Sequence, residues 1–157
     1  MLEKVLGLLV ALGISFTCAA LGSILTAPQI GGWYAQLIKP PWNPPAWLFG
    51  PVWTCLFALM AVSAWLVWLK SGDHDVRVQL SAFAVQLVLN VAWSALFFAA
   101  HSPRAALVDI GVLIIAIAAT ILAFARVDLV AAALLLPYVL WVSFAAYLNY
   151  TIVRLNA

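Results

Sequence analysis

Charged side chains are scarce in this sequence. Lysine, arginine, aspartate and glutamate make up 8% of its 157 residues, and the formal net charge is only +2. A soluble domain carries about 25% charged residues, because water has to solvate its surface. The chain therefore lacks the polar groups to cover a soluble globule, and without a basic tract it is not expected to bind nucleic acid.

Cysteine is almost absent, and so are the residue patterns of common enzymes. Cys18 and Cys55 lie in apolar stretches without metal-ligand spacing, and we interpret both as packing residues. The sequence has no phosphate-binding loop, no nucleophile elbow and no cluster of histidine and cysteine. We therefore expect no hydrolase, no NTPase, no metal site and no obligatory cofactor.

Long runs of hydrophobic residues make up most of the sequence. Hydrophobic residues account for 68% of the chain, and a helix that crosses a bilayer needs about 20 of them in succession. The sequence predicts an all-α integral membrane protein, a five-transmembrane-helix bundle in a single domain of residues 1–157. The predicted helices cover residues 4–27, 46–69, 78–100, 104–126 and 129–154. The first exceeds the core of about 7–15 residues of a signal peptide, so we expect it to be retained.

The connections between these predicted helices are short, so neighbouring helices should run antiparallel. An odd number of spans places the two termini on opposite sides of the membrane. Basic residues favour the cytoplasmic side, and the N-terminal side carries four of them against three. The four are Lys4, Lys70, Arg77 and Arg126, and the three on the opposite side are Lys39, Arg104 and Arg154. We therefore predict a cytoplasmic N-terminus.

Residues 28–51 do not fit a plain helix bundle. They hold six of the eight prolines, together with Trp33, Tyr34, Trp42 and Trp47. Because proline lacks a backbone donor and disfavours helix before it, residues 39–45 should be extended. Within the membrane, backbone that is neither helix nor strand is stable only where it packs against other parts of the protein or lines a cavity. We therefore favour a stiff lid over a cavity; the alternative is an interfacial aromatic belt.

Polar and aromatic residues share faces of the predicted helices. Gln86, Asn90, Trp93 and Phe97 lie on one face, either as hydrogen-bonding contacts between helices or as the wall of a pocket. Pro137 should bend the last helix, which also carries Tyr138, Trp141, Phe144 and Asn149, while Trp53, Phe57 and Met60 follow one face of the second. Together these faces are typical of a pocket for a flat apolar ligand.

Two further features are each open to more than one interpretation. Asp109, in the fourth predicted helix, is a functional candidate, although stabilisation by the helix dipole or pairing with Arg104 explains it more simply. Small residues recur every four positions from Gly7 to Ser23. They allow helices to approach closely, either within the chain or in a homodimer.

Three spaced motifs resemble the signature of the TspO/MBR family, also called the translocator protein or peripheral-type benzodiazepine receptor family, in a bacterial member. The first is Trp33-Tyr34-x-x-Leu37-x-Lys39-Pro40-x-Trp42-x-Pro44-Pro45, followed by Pro51-x-Trp53-Thr54. The second is Gln86-Leu87-x-Leu89-Asn90-x-x-Trp93-Ser94-x-x-Phe97-Phe98. The third is Pro137-Tyr138-x-x-Trp141-x-x-Phe144-Ala145-x-x-Leu148-Asn149. The resemblance extends over nearly the whole chain.

The resemblance implies a five-helix bundle, commonly a homodimer, that binds protoporphyrin IX, haem and benzodiazepine-type or isoquinoline drugs beneath the first loop. The ligand-binding positions it indicates are Tyr34, Trp42, Trp53, Phe57, Gln86, Asn90, Trp93, Phe97, Tyr138, Trp141 and Ala145. It also implies a cholesterol-recognition motif at Leu148, Tyr150 and Arg154. Phe57 stands where many members have tyrosine, and Gln86 where some have another amide.

The functions that follow are membrane-bound, with lipid as the surrounding partner. The first hypothesis is a receptor or translocator of porphyrins and other flat apolar molecules. The second is light-dependent degradation of bound porphyrin, for which Trp53 and Trp141 are the catalytic candidates by resemblance. The third is transport of sterols or other small apolar molecules. The resemblance places the protein in the bacterial cell envelope.

Overall fold

The computed structural model describes residues 1–157 and contains helices but no strand. Seven α-helices follow one another along the chain. They are α1 (Leu2–Ile30), α2 (Trp33–Gln36), α3 (Ala46–Trp68), α4 (Arg77–Ser94), α5 (Pro103–Ala125), α6 (Leu129–Leu134) and α7 (Leu136–Leu155). A π-helical turn, Ala95–Ala99, continues α4. Five spans are long and apolar enough to cross a membrane: α1, α3, α4 with its π-helical turn, α5, and α6 with α7. The predicted five-helix bundle is confirmed.

The irregular part of the first connection is shorter than the proline pattern predicts. Helix α1 continues through Pro28 to Ile30, and α3 contains Pro51. A proline in a helix removes one backbone hydrogen bond, and packing in the bundle outweighs that loss here. Residues 31–45, which we call the lid, therefore connect the first two spans. Pro45 is extended, as predicted for residues 39–45, but the same stretch also contains a turn that the prediction missed, in which the Asn43 amide donates to the Pro40 carbonyl oxygen at 3.0 Å.

The last span is interrupted where Pro137 predicts a bend. Helix α6 ends at Leu134, and α7 begins at Leu136. On the inner side of this break, the Ser63 hydroxyl donates a 2.6 Å hydrogen bond to the carbonyl oxygen of Ala131. Ser63 of α3 thus supplies a hydrogen-bond donor to a backbone carbonyl next to the interruption. Side chains of neighbouring helices allow a broken helix to persist in a bilayer in this way.

Helix α1 packs against α3 and α4 at its small residues. Ser15 is the one fully buried residue of α1. A side chain at Gly7 would overlap the Trp68 indole, so glycine permits close approach of the helices there. The Trp65 indole nitrogen also donates to the carbonyl oxygen of Lys4 at 2.9 Å. The first two spans are therefore held together at the end opposite the lid.

The centre of the bundle is a continuous apolar core. Met60, Ile117 and Phe124 are completely buried in it. A second, smaller cluster lies nearer the lid and consists of Phe97, Phe98, Ala106, Leu148 and Ile152. Many other large apolar side chains are exposed along the spans, a surface suited to lipid rather than to water. The core supports one end of the bundle and leaves space at the other.

Candidate ligand-binding cavity beneath the first loop

The lid is held in shape by one lysine. The Lys39 ammonium donates to the carbonyl oxygens of Tyr34 and Leu37 at 2.8 Å and of Ala35 at 3.3 Å. These carbonyls belong to α2 and to the residue after it, and only that of Tyr34 also accepts a backbone amide, from Leu37 at 3.3 Å. Lys39 therefore caps the short helix and fixes the chain that leaves it.

Tyr34 and Asn43 join the two halves of the lid. The Tyr34 hydroxyl donates to the Asn43 side-chain oxygen at 3.1 Å, and the Asn43 amide donates to the carbonyl oxygen of Pro44 at 3.0 Å. Burial raises the pKa of Tyr34 above its ordinary value, because the charged phenolate would lose its hydration. Tyr34 is therefore a neutral hydrogen-bond donor at physiological pH.

The lid is fastened to the bundle at two places. Asn156, just beyond α7, accepts a hydrogen bond from the Ile38 amide at 3.0 Å and donates one to the Ile38 carbonyl at 2.9 Å. Trp33 stacks on His101 with ring centres 4.5 Å apart, and His101 Nε2 lies 3.0 Å from the Gln29 side-chain oxygen. His101 has a φ of 49°, in the left-handed region that residues other than glycine adopt uncommonly. His101 is exposed to solvent and at the same time connects the lid, the end of α1 and the loop before α5.

Beneath the lid lies a cavity of about 710 Å³, within the range of about 300–1,000 Å³ for small-molecule sites. Of its 31 lining residues, 19 are hydrophobic, so it suits an apolar ligand. Helices α1, α3, α4 and α7 contribute, together with the π-helical turn and the lid.

Aromatic rings form much of the cavity wall. Trp53 packs against Phe57 with ring centres 5.7 Å apart. Trp141 contacts Phe49 edge-on at 6.0 Å, and the ring of Trp93 stacks on Phe97 at 5.3 Å. Such contacts restrict ring orientation. The cavity thus has rigid, flat surfaces from three different spans.

Hydrogen bonds orient the polar groups of the wall. The Asn90 side-chain amide donates to the Tyr138 hydroxyl at 3.0 Å. The Trp93 indole donates to the Asn149 side-chain oxygen at 3.2 Å, and the Asn149 amide donates to the Pro103 carbonyl oxygen at 2.9 Å. The buried Trp141 indole nitrogen has no partner. The cavity therefore has few uncommitted donors.

The cavity opens between α1 and α3. Ala20 and Ala27 on α1, and Gly50 and Thr54 on α3, line the cavity and are also exposed at the outer surface of the spans. The opening continues to the margin of the lid, where Pro45 is exposed as well. Small side chains on both helices leave this gap, whereas larger residues close the opposite end of the same helix pair.

Eight of the predicted ligand-binding residues line the cavity together: Tyr34, Trp53, Phe57, Asn90, Trp93, Phe97, Trp141 and Ala145. Three others lie elsewhere. Trp42 is on the outer surface and stacks on Tyr147 at 5.2 Å. Gln86 is buried deeper, 4.0 Å from the Met60 sulfur, and Tyr138 is fully buried behind Asn90. Shared helix faces could not reveal these differences in depth.

The predicted sterol motif is divided between two surfaces. Leu148 is buried and lines the cavity, whereas Tyr150 is exposed and accepts a 3.1 Å hydrogen bond from Arg154. Of the two simpler explanations offered for Asp109, pairing with Arg104 is wrong, because the two residues form no ion pair. One Asp109 oxygen is buried without a hydrogen-bond partner, and the ion pairs of the structure are Lys70–Asp128 and Asp75–Arg77.

Sequence reasoning missed most of the α1 side of the cavity. Cys18, Gly22 and Thr26 line it; the sequence analysis interpreted Cys18 as a packing residue and gave Gly22 and Thr26 no role. Phe98 was missed as a site residue because an α-helix would turn it away from the face of Phe97. The π-helical turn places both residues in the wall, and wide turns of this kind often occur at functional sites.

The fold and the cavity define a multi-pass integral membrane protein with a lidded, aromatic binding site. The sequence matches the TspO/MBR family over residues 9–155, and the chain belongs to that family. It is 47% identical over 156 residues to the tryptophan-rich protein TspO of Chlorobaculum tepidum, covering 98% of each chain. It is 42% identical over 156 residues to the protein of the same name from Archaeoglobus fulgidus, covering 99% of this chain and 98% of the relative. It is 43% identical over 126 residues to the human translocator protein, covering 79% of this chain and 75% of the relative.

Proposed function

We propose that this protein is a membrane receptor or translocator that binds porphyrins, such as protoporphyrin IX and haem, and other flat apolar molecules beneath the lid. The observation that carries the proposal is the aromatic wall: Trp53, Trp93 and Trp141 face one cavity from three spans. Flat rings stack favourably on such surfaces. The names translocator protein and tryptophan-rich sensory protein, given to relatives, agree with a receptor or translocator role.

The route of entry is consistent with a ligand that dissolves in lipid. The gap between α1 and α3 lies at the surface of two membrane spans, and its edges are small residues. An apolar macrocycle could pass from the bilayer into the cavity through this gap without crossing water. The lid would cover it on the side of the headgroups.

Titration of the protein in lipid nanodiscs with metal-free protoporphyrin IX tests the proposal. We expect saturable binding, weakened about tenfold by Trp53→Phe or Trp141→Phe, because each replacement removes ring contact. Absorbance of the porphyrin reports the affinity. Trp47→Phe is the matched control, since Trp47 is exposed and does not line the cavity. Equal affinities in all four proteins would exclude this cavity as the site.

Light-dependent degradation of bound porphyrin is the second candidate, favoured by the positions of Trp53 and Trp141 in the wall. A tryptophan in contact with an excited porphyrin can exchange an electron with it. We expect illumination of the complex to give a discrete product that either Trp→Phe variant loses. Bleaching no different from that of porphyrin in detergent would exclude this activity.

Sterol transport is ranked third. The exposed pair Tyr150 and Arg154 could contact a sterol at the surface, but Leu148 is turned toward the cavity. We also propose that the protein forms a homodimer in the bacterial cell envelope, as the family resemblance implies. Native mass spectrometry in detergent would reveal a single-chain mass if the dimer proposal is wrong.

A further inference from the structure

One of the two attachments of the lid contains a histidine. The attachment through Asn156 and the backbone of Ile38 has no ionisable group. The other consists of Trp33, His101 and Gln29, which we call the clasp. Histidine is the side chain that most often changes its charge between about pH 5 and pH 8. The strength of the clasp can therefore vary with pH, whereas that of the Asn156 attachment cannot.

The imidazole of His101 lies nearly flat on the Trp33 indole. The ring centres are 4.5 Å apart, and the planes differ by 16°. A cation within about 6 Å of the ring centre is attracted to the face of a tryptophan. An imidazolium in this position gains that attraction, while a neutral imidazole gains only the contact between two flat rings. Protonation therefore strengthens the stack without moving either ring.

The hydrogen bond to Gln29 also becomes stronger when the ring is charged. His101 Nε2 lies 3.0 Å from the Gln29 side-chain oxygen, so this nitrogen carries a proton and donates it. It can do so in the neutral ring as well as in the charged one. A hydrogen bond from a charged donor is roughly twice as strong as a neutral one. Both contacts of the clasp are therefore present in either state and tighter in the protonated state.

The surroundings of His101 supply no acidic partner that would hold it in the charged state. Residues 19–30 of α1 and the π-helical turn carry no charged side chain. The titratable groups of the lid and of the first turns of α5 are Tyr34, Lys39, Arg104 and Asp109. None of them forms an ion pair with His101, which is exposed to solvent. The charge of the ring can therefore follow the surrounding pH.

Trp33 connects the clasp to the wall of the cavity. Its indole packs edge-on against Phe97 with ring centres 5.7 Å apart, and Phe97 lines the cavity. The next residue, Tyr34, also lines the cavity and is hydrogen-bonded to Asn43 in the other half of the lid. Movement of Trp33 away from His101 would therefore displace this side of the lid from the bundle.

We propose that the clasp makes closure of the lid pH-dependent, with the protonated ring of His101 holding Trp33 more firmly than the neutral ring does. The charge stabilises the closed lid at low pH, and this contribution is lost as the pH rises and the ring becomes neutral. The lid thus closes more tightly in mildly acidic than in mildly alkaline surroundings. The inference goes beyond the proposed porphyrin binding, because movement of the lid requires no ligand.

Hydrogen exchange of residues 33–38 in the ligand-free protein tests the proposal. It is measured by mass spectrometry in nanodiscs at about pH 5.5 and about pH 8, and each rate is divided by the intrinsic rate at that pH. We expect protection to be about threefold higher at the lower pH. The difference should vanish in His101→Phe, which keeps a flat ring without a charge. It should also vanish in His101→Asn, which tolerates a positive φ but cannot stack.

His74→Phe is the matched control. His74 is the second of the two histidines and lies exposed in the loop between α3 and α4, at the end opposite the lid. This variant should respond to pH as the unmodified protein does. Equal protection at the two pH values in the unmodified protein would overturn the inference, and so would a response that survives in either His101 variant or disappears in His74→Phe. Because each protein is compared with itself, a generally looser lid does not affect the outcome.

Discussion

At the scale of single residues, the hydrogen bond between Asn90 and Tyr138 determines what the cavity presents. Tyr138 is fully buried, and its hydroxyl accepts the Asn90 amide. The oxygen of the Asn90 side chain is thereby left without an intramolecular donor. We infer that Asn90 offers a ligand a hydrogen-bond acceptor, and that Tyr138 sets this orientation from behind.

Tyr138→Phe should destabilise the protein and weaken ligand binding together. The replacement keeps the ring but leaves the Asn90 amide unpaired in a buried place, at a cost of about 1 kcal/mol, as for other interhelical hydrogen bonds in membranes. Thermal unfolding in detergent and protoporphyrin titration measure the two effects. Tyr147→Phe is the control, because Tyr147 is exposed and does not line the cavity. Identical behaviour of the two variants would contradict the role of Tyr138.

The sequence predicted which residues share a helix face, but not which of them reach the cavity and which are buried behind its wall. Asn90, Trp93 and Phe97 share a helix face and do line the cavity. Gln86 lies on the same face one turn earlier and is covered by Met60. Spacing fixes the direction of a side chain around its helix, whereas the depth of the cavity depends on how neighbouring spans pack. Trp42 shows the same limit in a loop, where no periodicity applies.

At the scale of structural elements, the lid is held by hydrogen bonds within itself and by two attachments to the bundle. Its internal bonds involve Lys39, Tyr34 and Asn43, and its attachments involve Asn156 and the Trp33–His101 stack. The prolines predicted that residues 39–45 would be extended, because proline restricts its neighbours locally. The bond to Asn156 could not be predicted, since it joins residues 118 positions apart.

Asn156→Ala should loosen the lid without unfolding the bundle. The Ile38 amide and carbonyl would lose their partners, and two such bonds contribute about 1–3 kcal/mol together. Hydrogen exchange of residues 33–45 followed by mass spectrometry should speed up by about tenfold or more, and the off-rate of bound protoporphyrin should rise. Leu155→Ala, at the exposed neighbouring residue, serves as the control. Unchanged exchange in Asn156→Ala would show that the lid does not depend on this bond.

Helix boundaries illustrate a second limit of local rules. The prediction ended the first helix at residue 27, yet α1 continues through Pro28 to Ile30, while Pro51 lies inside α3 as the predicted bounds of that helix require. In a bilayer, an unpaired backbone group is costly, so a helix continues through a proline when neighbouring helices support it. Pro137 behaved as predicted, because α3 supplies Ser63 to the backbone beside the break. The difference lies in tertiary partners that local sequence does not contain.

At the scale of the whole molecule, the bundle is closed at one end and hollow at the other. The closed end has the contacts of α1 with Trp65 and Trp68 and the ion pair between Lys70 and Asp128 at 4.0 Å. The hollow end has small residues between α1 and α3, and the lid above them. Long hydrophobic runs were sufficient to predict five spans. The asymmetry between the two ends depends on residues that look alike in a hydropathy profile.

If porphyrin binds in the lidded cavity, a larger side chain in its wall should block binding. Ala145 lines the cavity, whereas Ala133 is an exposed alanine of the same span that does not. In nanodiscs, Ala145→Phe should weaken protoporphyrin IX binding by at least about tenfold, because the new ring occupies the space of the ligand. Ala133→Phe should bind as the unmodified protein does. Unchanged affinity in Ala145→Phe, with both variants folded, would contradict the account.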